Sequence, residues 1–240
     1  MTKGFFITGT DTDIGKTVAT SAFLNLMRAA GSDAVPMKPV QTGCTEAAEK
    51  FMDLDLCMNL GNLSDTGIER SLMNLYEFET PCSPHLAAEK EGAKIELGRI
   101  RDACLKLMNK HDCVLVEGAG GVLVPLNKNE TMLDLMVMLA LPVVVVARPG
   151  LGTINHTLMT LKVLRDAGLY VSGVVFCETE EKPCGEIENN NWQTIEHFGR
   201  IPVLGRIPYL SSLVGEHPDA DEFTAALAGN LVLPDQNQTS

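Results

Sequence analysis

Apolar residues along the chain fall into two alternating patterns. Short unbroken runs, GFFIT, AVPMKPV, CVLVEG, PVVVVA and YVSGVVF, have the length and β-branched content of strands buried on both faces. Between them, near 15–30, 98–109, 131–139 and 153–167, apolar residues recur at the spacing of helices with one buried face. Such an alternation predicts an α/β fold, a doubly wound, mostly parallel sheet with helices on both sides. Residues 1–230 read as a single domain, and the polar end PDQNQTS makes 231–240 a frayed tail. Residues 44–80, with many Met, Asp and Asn, carry mixed helical signals.

Composition narrows the chemistry. The 240 residues are 45% apolar, enough for one sizeable core. A formal charge of −12, from 31 acidic and 19 basic residues, argues against nucleic acid or an anionic membrane as the main partner, so an anionic ligand has to be held by a local site. Seven cysteines without a C-x-x-C pair read as reduced thiols, not as a zinc site or disulfide framework. With no signal peptide before the first strand and no apolar run of about 18 residues, a soluble cytoplasmic protein is expected.

The first strand-to-helix turn, GTDTDIGKT, is a variant phosphate-binding loop. The usual spacing, G-x-x-x-x-G-K-[S/T], would put the first glycine at Thr10, whereas it stands at Gly9. The physical requirements survive: backbone N–H groups at a helix start, a flexible lysine at Lys16 and a hydroxyl for Mg²⁺ at Thr17. In doubly wound sheets ligands sit at the carboxyl ends of strands. There the second strand places Lys38 in KPVQTG and the third places Glu117 in VEGAGG. Taken singly, these are a snorkelling lysine and an ion-pair carboxylate. Together with the loop they form a charge set, Thr17 and Glu117 for Mg²⁺, Lys16 and Lys38 for phosphoryl charge. A strand-end lysine adds little to a core, so Lys38 is expected to matter to chemistry much more than to folding.

GTDTDIGKT, KPVQTG, SPH at 83–85, VLVEGAGG and LGTINH at 151–156 occur in an order and spacing that resemble the dethiobiotin synthetase family over residues 3 to 210. That resemblance implies an ATP-dependent cyclo-ligase, in which 7,8-diaminononanoate and CO₂ form a carbamate, ATP phosphorylates it, and the second amine closes a cyclic urea. It implies Lys38, Lys16 and Thr12 at the reacting groups. Asp13, Ile14, Gly15, Val18 and the run Gly118, Ala119 and Gly120 would surround the nucleotide, the glycines letting carbamate and phosphate approach the backbone. Thr42 and Ser83 would face the substrate, and Thr153, Ile154 and Asn155, at a helix start, would take its carboxylate across a homodimer interface. The metal set would be Thr17, Glu117 and an aspartate of FMDLDLC; Asp53 and Asp55 are both available, and separation from Lys38 selects Asp55.

Three departures from the family pattern stand out. Asp13 occupies a position where the family often has Glu. A tyrosine near the carboxylate is replaced close to Asn191. The Asn-Asp pair expected to read the base is Cys177-Glu178, which with Ile207 and Pro208 would border it, so nucleotide preference is open between ATP and CTP. Among other classes, a partition-type ATPase carries a lysine where this chain has Asp11, and cobyrinate-type synthetases need a further domain for which 240 residues leave no room.

Overall fold

The computed structural model describes residues 3–44, 52–63, 70–181, 184–214 and 219–235. Its main sheet has six parallel strands in the order β2-β5-β1-β6-β7-β8, formed by Gly4–Gly9 (β1), Ala34–Met37 (β2), Cys113–Gly121 (β5), Val143–Ala147 (β6), Val171–Cys177 (β7) and Val203–Ile207 (β8). A separate parallel pair, Val40–Thr42 (β3) and Tyr76–Phe78 (β4), lies beside it. Pro36, which cannot donate a ladder hydrogen bond, falls on the edge strand β2.

Alternation along β1 shows why strands without polar positions are needed here. Phe6 belongs to one apolar cluster while Phe5 and Ile7 belong to another on the opposite face, and all three are fully buried. The first cluster is covered by Pro84–Lys90 (α4), Leu97–Lys110 (α5), Met132–Leu139 (α6), Thr153–Asp166 (α7) and Glu186–Gly199 (α8). The second is covered by Lys16–Ala29 (α1) and Ala220–Leu227 (α9), with Phe23 and Phe223 fully buried. Two further helices, Asp53–Leu60 (α2) and Arg70–Met73 (α3), occupy the segment whose pattern was mixed. Among the described residues, no helix is long and apolar enough to cross a membrane.

Leu231 bridges Gly205 and the Val232 N–H donates to the Leu204 carbonyl at 2.8 Å, so the chain is still paired with β8 beyond residue 230. Residues 236–240 of the expected tail lie outside the described residues.

Candidate active site

The central strand β1 ends in the loop that turns into α1. Asp13 and Gly15 both take left-handed backbone conformations, with φ of 54° and 85°, the kind of backbone from which anion-binding N–H nests are built. Glycine is required at 15 because a Cβ there would strike the Cys177 side chain. At Gly9 a Cβ would come within 2.6 Å of the Ile14 side chain, so the bare backbone lets the loop fold back over the strand. The Lys16 ammonium donates to the Asp11 carbonyl at 2.9 Å.

Lys38 follows β2 and Glu117 lies within β5, which is paired to both β2 and β1, and the sheet brings them together. Lys38 Nζ donates to Glu117 Oε1 at 2.5 Å and to the Gly118 carbonyl at 3.3 Å, and it pairs with Asp53 at 2.7 Å. Thr17 Oγ1 donates to the same Glu117 oxygen at 2.9 Å. With Lys38 at 5% exposure and Glu117 at 2%, this network is a buried one, so Lys38 is not the snorkelling surface residue it would be taken for singly. Burial lowers the Lys38 pKa, but the charges of Glu117 and then Asp53 outweigh it and hold the ammonium above its ordinary value. Lys16 lacks such close partners; burial and then the charge of Lys38 bring it down to about 8. Asp53 is lowered by Lys38 in spite of its burial.

These groups line a cleft of about 490 Å³ that also includes Thr12, Asp13, Ile14, Gly15, Val18, Thr42, Ala119 and Gly120. Asp55 is absent from that lining. Asp53 and Asp55 stand two positions apart on α2 and therefore point to different sides. Asp55 instead forms a two-pronged pair with Arg70, at 2.6 and 2.9 Å. The structure thus brings Asp53, and not the Asp55 expected from its separation in sequence, into the cleft beside Lys38.

Other expected residues take different surroundings. Gly118 faces Phe6 and Met132, which a Cβ would meet at 3.1 and 3.4 Å, so a side chain there would crowd the core. Ser83 precedes α4, where its carbonyl accepts from the Leu86 and Ala87 N–H groups, and it does not line the cleft. Cys177 is 2% exposed, packed in the apolar cluster beneath the loop with Ile207, its thiol pushed up to about 12 by burial and then by Glu178. The Glu178 carboxylate faces Arg206 and the Tyr209 N–H, both at 3.4 Å, while Pro208 lies between Ile207 and Tyr209.

The start of α7 is built differently. Gly152, in a left-handed conformation with φ of 91°, precedes Thr153, and no side chain caps the helix. Thr153 is buried with its hydroxyl 3.4 Å from that of Thr157, inside the helix rather than toward solvent. Ile154 and Asn155 line a shallow apolar groove with Leu151 and Met159. Asn191, on α8, donates to the Pro149 carbonyl at 2.8 Å and fixes the turn that leads into α7. Nothing in its sequence neighbourhood signalled that role. A second groove runs from Thr12 of the phosphate loop past Leu123 to His156 and Met159.

Comparison with known proteins agrees with this geometry. The AAA domain family model matches residues 3–217. The chain is 45% identical over 214 residues to the ATP-dependent dethiobiotin synthetase BioD of Anaeromyxobacter sp. (strain Fw109-5), covering 88% of this chain and 92% of that protein. It is 33% identical to the protein of that name from Bacillus subtilis (strain 168), covering 96% and 99%. Among solved structures, the MinD cell division protein of Aquifex aeolicus superposes with a TM-score of 0.58 at 16% identity, over 98% of this chain and all of that one, a likeness of fold. With a phosphate loop and two buried lysines at the carboxyl ends of its strands, and close relatives spanning nearly its full length, the chain belongs to the ATP-dependent dethiobiotin synthetases and is an ATP-dependent ligase.

Proposed function

We propose that residues 1–230 form one catalytic unit that joins 7,8-diaminononanoate, CO₂ and ATP to give dethiobiotin, ADP and phosphate. One amine of the diamine attacks CO₂, loses a proton and becomes a carbamate. A carbamate oxygen takes the γ-phosphoryl group as the bond to ADP breaks. The second amine then attacks the carbamate carbon, loses a proton as phosphate is expelled, and closes the cyclic urea.

The observation that carries the reading is the convergence of two buried lysines on one cleft. Bringing an anionic carbamate against a triphosphate is chiefly a problem of positioning and charge stabilisation. Lys38, its ammonium held charged, suits the carbamate and the charge that develops on the transferred group. Lys16 suits the β- and γ-phosphates, and Thr12 the reacting groups. Asp53 and Glu117 with the Thr17 hydroxyl offer hard oxygen donors that fit Mg²⁺, which binds through one or two carboxylates and substrate phosphates. Mg²⁺ there would neutralise charge on the β- and γ-phosphate oxygens.

The substrate carboxylate is assigned to the start of α7 in a second copy of the chain, where the helix dipole and Asn155 meet it. The exposed Leu123, Leu151 and Met159 along the two grooves support a homodimer with this face inside. Phosphate release, measured with and without 7,8-diaminononanoate and bicarbonate, tests the proposal. Turnover that needs both is expected, and turnover independent of the diamine overturns it.

A further inference from the structure

The expected lysine of partition-type loops is Asp11 here, and the proposed reaction gives that carboxylate no task. It adjoins Thr12, which lines the cleft proposed to take a triphosphate, and near that cleft an unpaired negative charge works against binding. Four contacts tie this residue and its neighbour down. The Asp11 carbonyl accepts from Lys16 Nζ at 2.9 Å, and Asp11 Oδ1 accepts from the Thr12 N–H at 2.8 Å. Asp11 Oδ2 accepts from Arg148 at 3.1 Å, while the Thr10 N–H donates to the Val146 carbonyl at 3.0 Å. The last two lead to the same place, the carboxyl end of β6. Arg148 itself lines a cavity there with Glu178, Glu180 and Glu188, while its guanidinium pairs with Asp11 of the loop.

We propose that Arg148 is a positioning residue of the phosphate loop, acting through Asp11: it draws the Asp11 carboxylate toward β6 and offsets its charge, so that the backbone of Asp11 and Thr12 keeps the shape that presents Lys16 to the nucleotide. The pair is half exposed, with side chains at 46% and 51%, and so contributes little to folding. Its work is on the loop. The inference rests on Lys16 as a phosphate ligand.

Affinity for ATP, measured by calorimetry on the full chain without the diamine, tests the inference apart from the ligase reaction. Arg148→Ala should weaken ATP binding by roughly three- to fivefold at low salt, with Arg148→Lys between it and the parent. In an Asp11→Asn background, which keeps the acceptor for Thr12 and removes the charge, Arg148→Ala should change affinity by less than about 1.5-fold. Equal losses in both backgrounds would mean that Arg148 meets the nucleotide itself, and no loss in either would mean that the pair is incidental; both overturn the proposal. A parent that binds ATP but shows no diamine-dependent turnover would defeat the ligase reaction and leave this result standing.

Discussion

The phosphate cleft and the start of α7 are both built at the carboxyl ends of strands, but one is internally complete and the other is not. In the cleft the polar groups of the proposed chemistry have partners within the chain: Lys38 between Glu117 and Asp53, the Thr17 hydroxyl on Glu117, Lys16 on a backbone carbonyl. At α7 the helix start carries no side-chain cap, and Leu151 beside it is 95% exposed. Buried charges have to be satisfied where they are folded, whereas an open helix end and an apolar rim can be completed by a ligand or a second copy. On this comparison, damage to the cleft should strike both chemistry and stability, and damage to α7 should strike recognition alone.

Lys38→Ala is the severest test. It removes the cation and strands two carboxylates, so turnover should fall by about 10²–10³ or more, and stability by roughly 3–5 kcal/mol, seen as a lower melting temperature. A variant with the parent's melting temperature would show that the cleft network is not structural, and one with the parent's turnover would remove Lys38 from the mechanism. Glu117→Gln keeps the shape and loses the charge. The Mg²⁺ concentration for half-maximal turnover should rise about tenfold, whereas an unchanged requirement would leave Glu117 serving only to hold Lys38.

The pH dependence follows from Lys16. Its pKa in the open cleft is about 8, lowered by burial and by Lys38, and a bound phosphate favours the protonated form. The ammonium present below pH 8 is lost above it, so ATP affinity should decline from pH 7.5 to 9.5, by up to about tenfold per pH unit. Lys16→Arg, which stays charged, should flatten that profile, and a parent profile already flat would refute the assignment.

At α7 the expected effects are smaller and selective. Asn155→Ala should raise KM for the diamine roughly three- to tenfold while KM for ATP and the melting temperature stay put. Leu151→Asp should weaken self-association in sedimentation, and a monomeric parent with full activity would show that α7 needs no second copy. The smallest difference concerns the base. With Cys177 buried beneath the loop and Glu178 turned to Arg206, neither presents a paired donor and acceptor, and ATP and CTP should have kcat/KM within about tenfold, roughly 1.4 kcal/mol. An ATP advantage of about a hundredfold or more would place base recognition on backbone groups near residues 204–210.

Much of the cleft was legible because its signals are local. A strand, a glycine turn and a lysine-led helix are contiguous, and Lys38 and Glu117 are marked by being charged at the ends of apolar runs. The aspartate partner of Lys38 was not legible from separation along the chain, because Asp53 and Asp55 differ in helical phase, and phase has meaning only once the axis of α2 is placed against β2. The small pair β3 and β4 and the helices between them were hidden for a similar reason: their apolar positions are set by neighbours distant in sequence, such as α5 beneath Tyr76, whose hydroxyl accepts from the Glu96 N–H.

The sequence by itself determined the alternation of strands and helices, the phosphate loop and its lysine, and the family, since each depends on residue spacing within a short stretch. Tertiary structure decided which aspartate meets Lys38, that Cys177 lies under the loop, that Gly118 packs on Phe6 and that Arg148 reaches Asp11 across 137 positions of chain. Those outcomes turn on the direction in which a side chain leaves its element and on what stands opposite, and parallel pairing across β2-β5-β1-β6-β7 brings together residues whose order along the chain carries no such information.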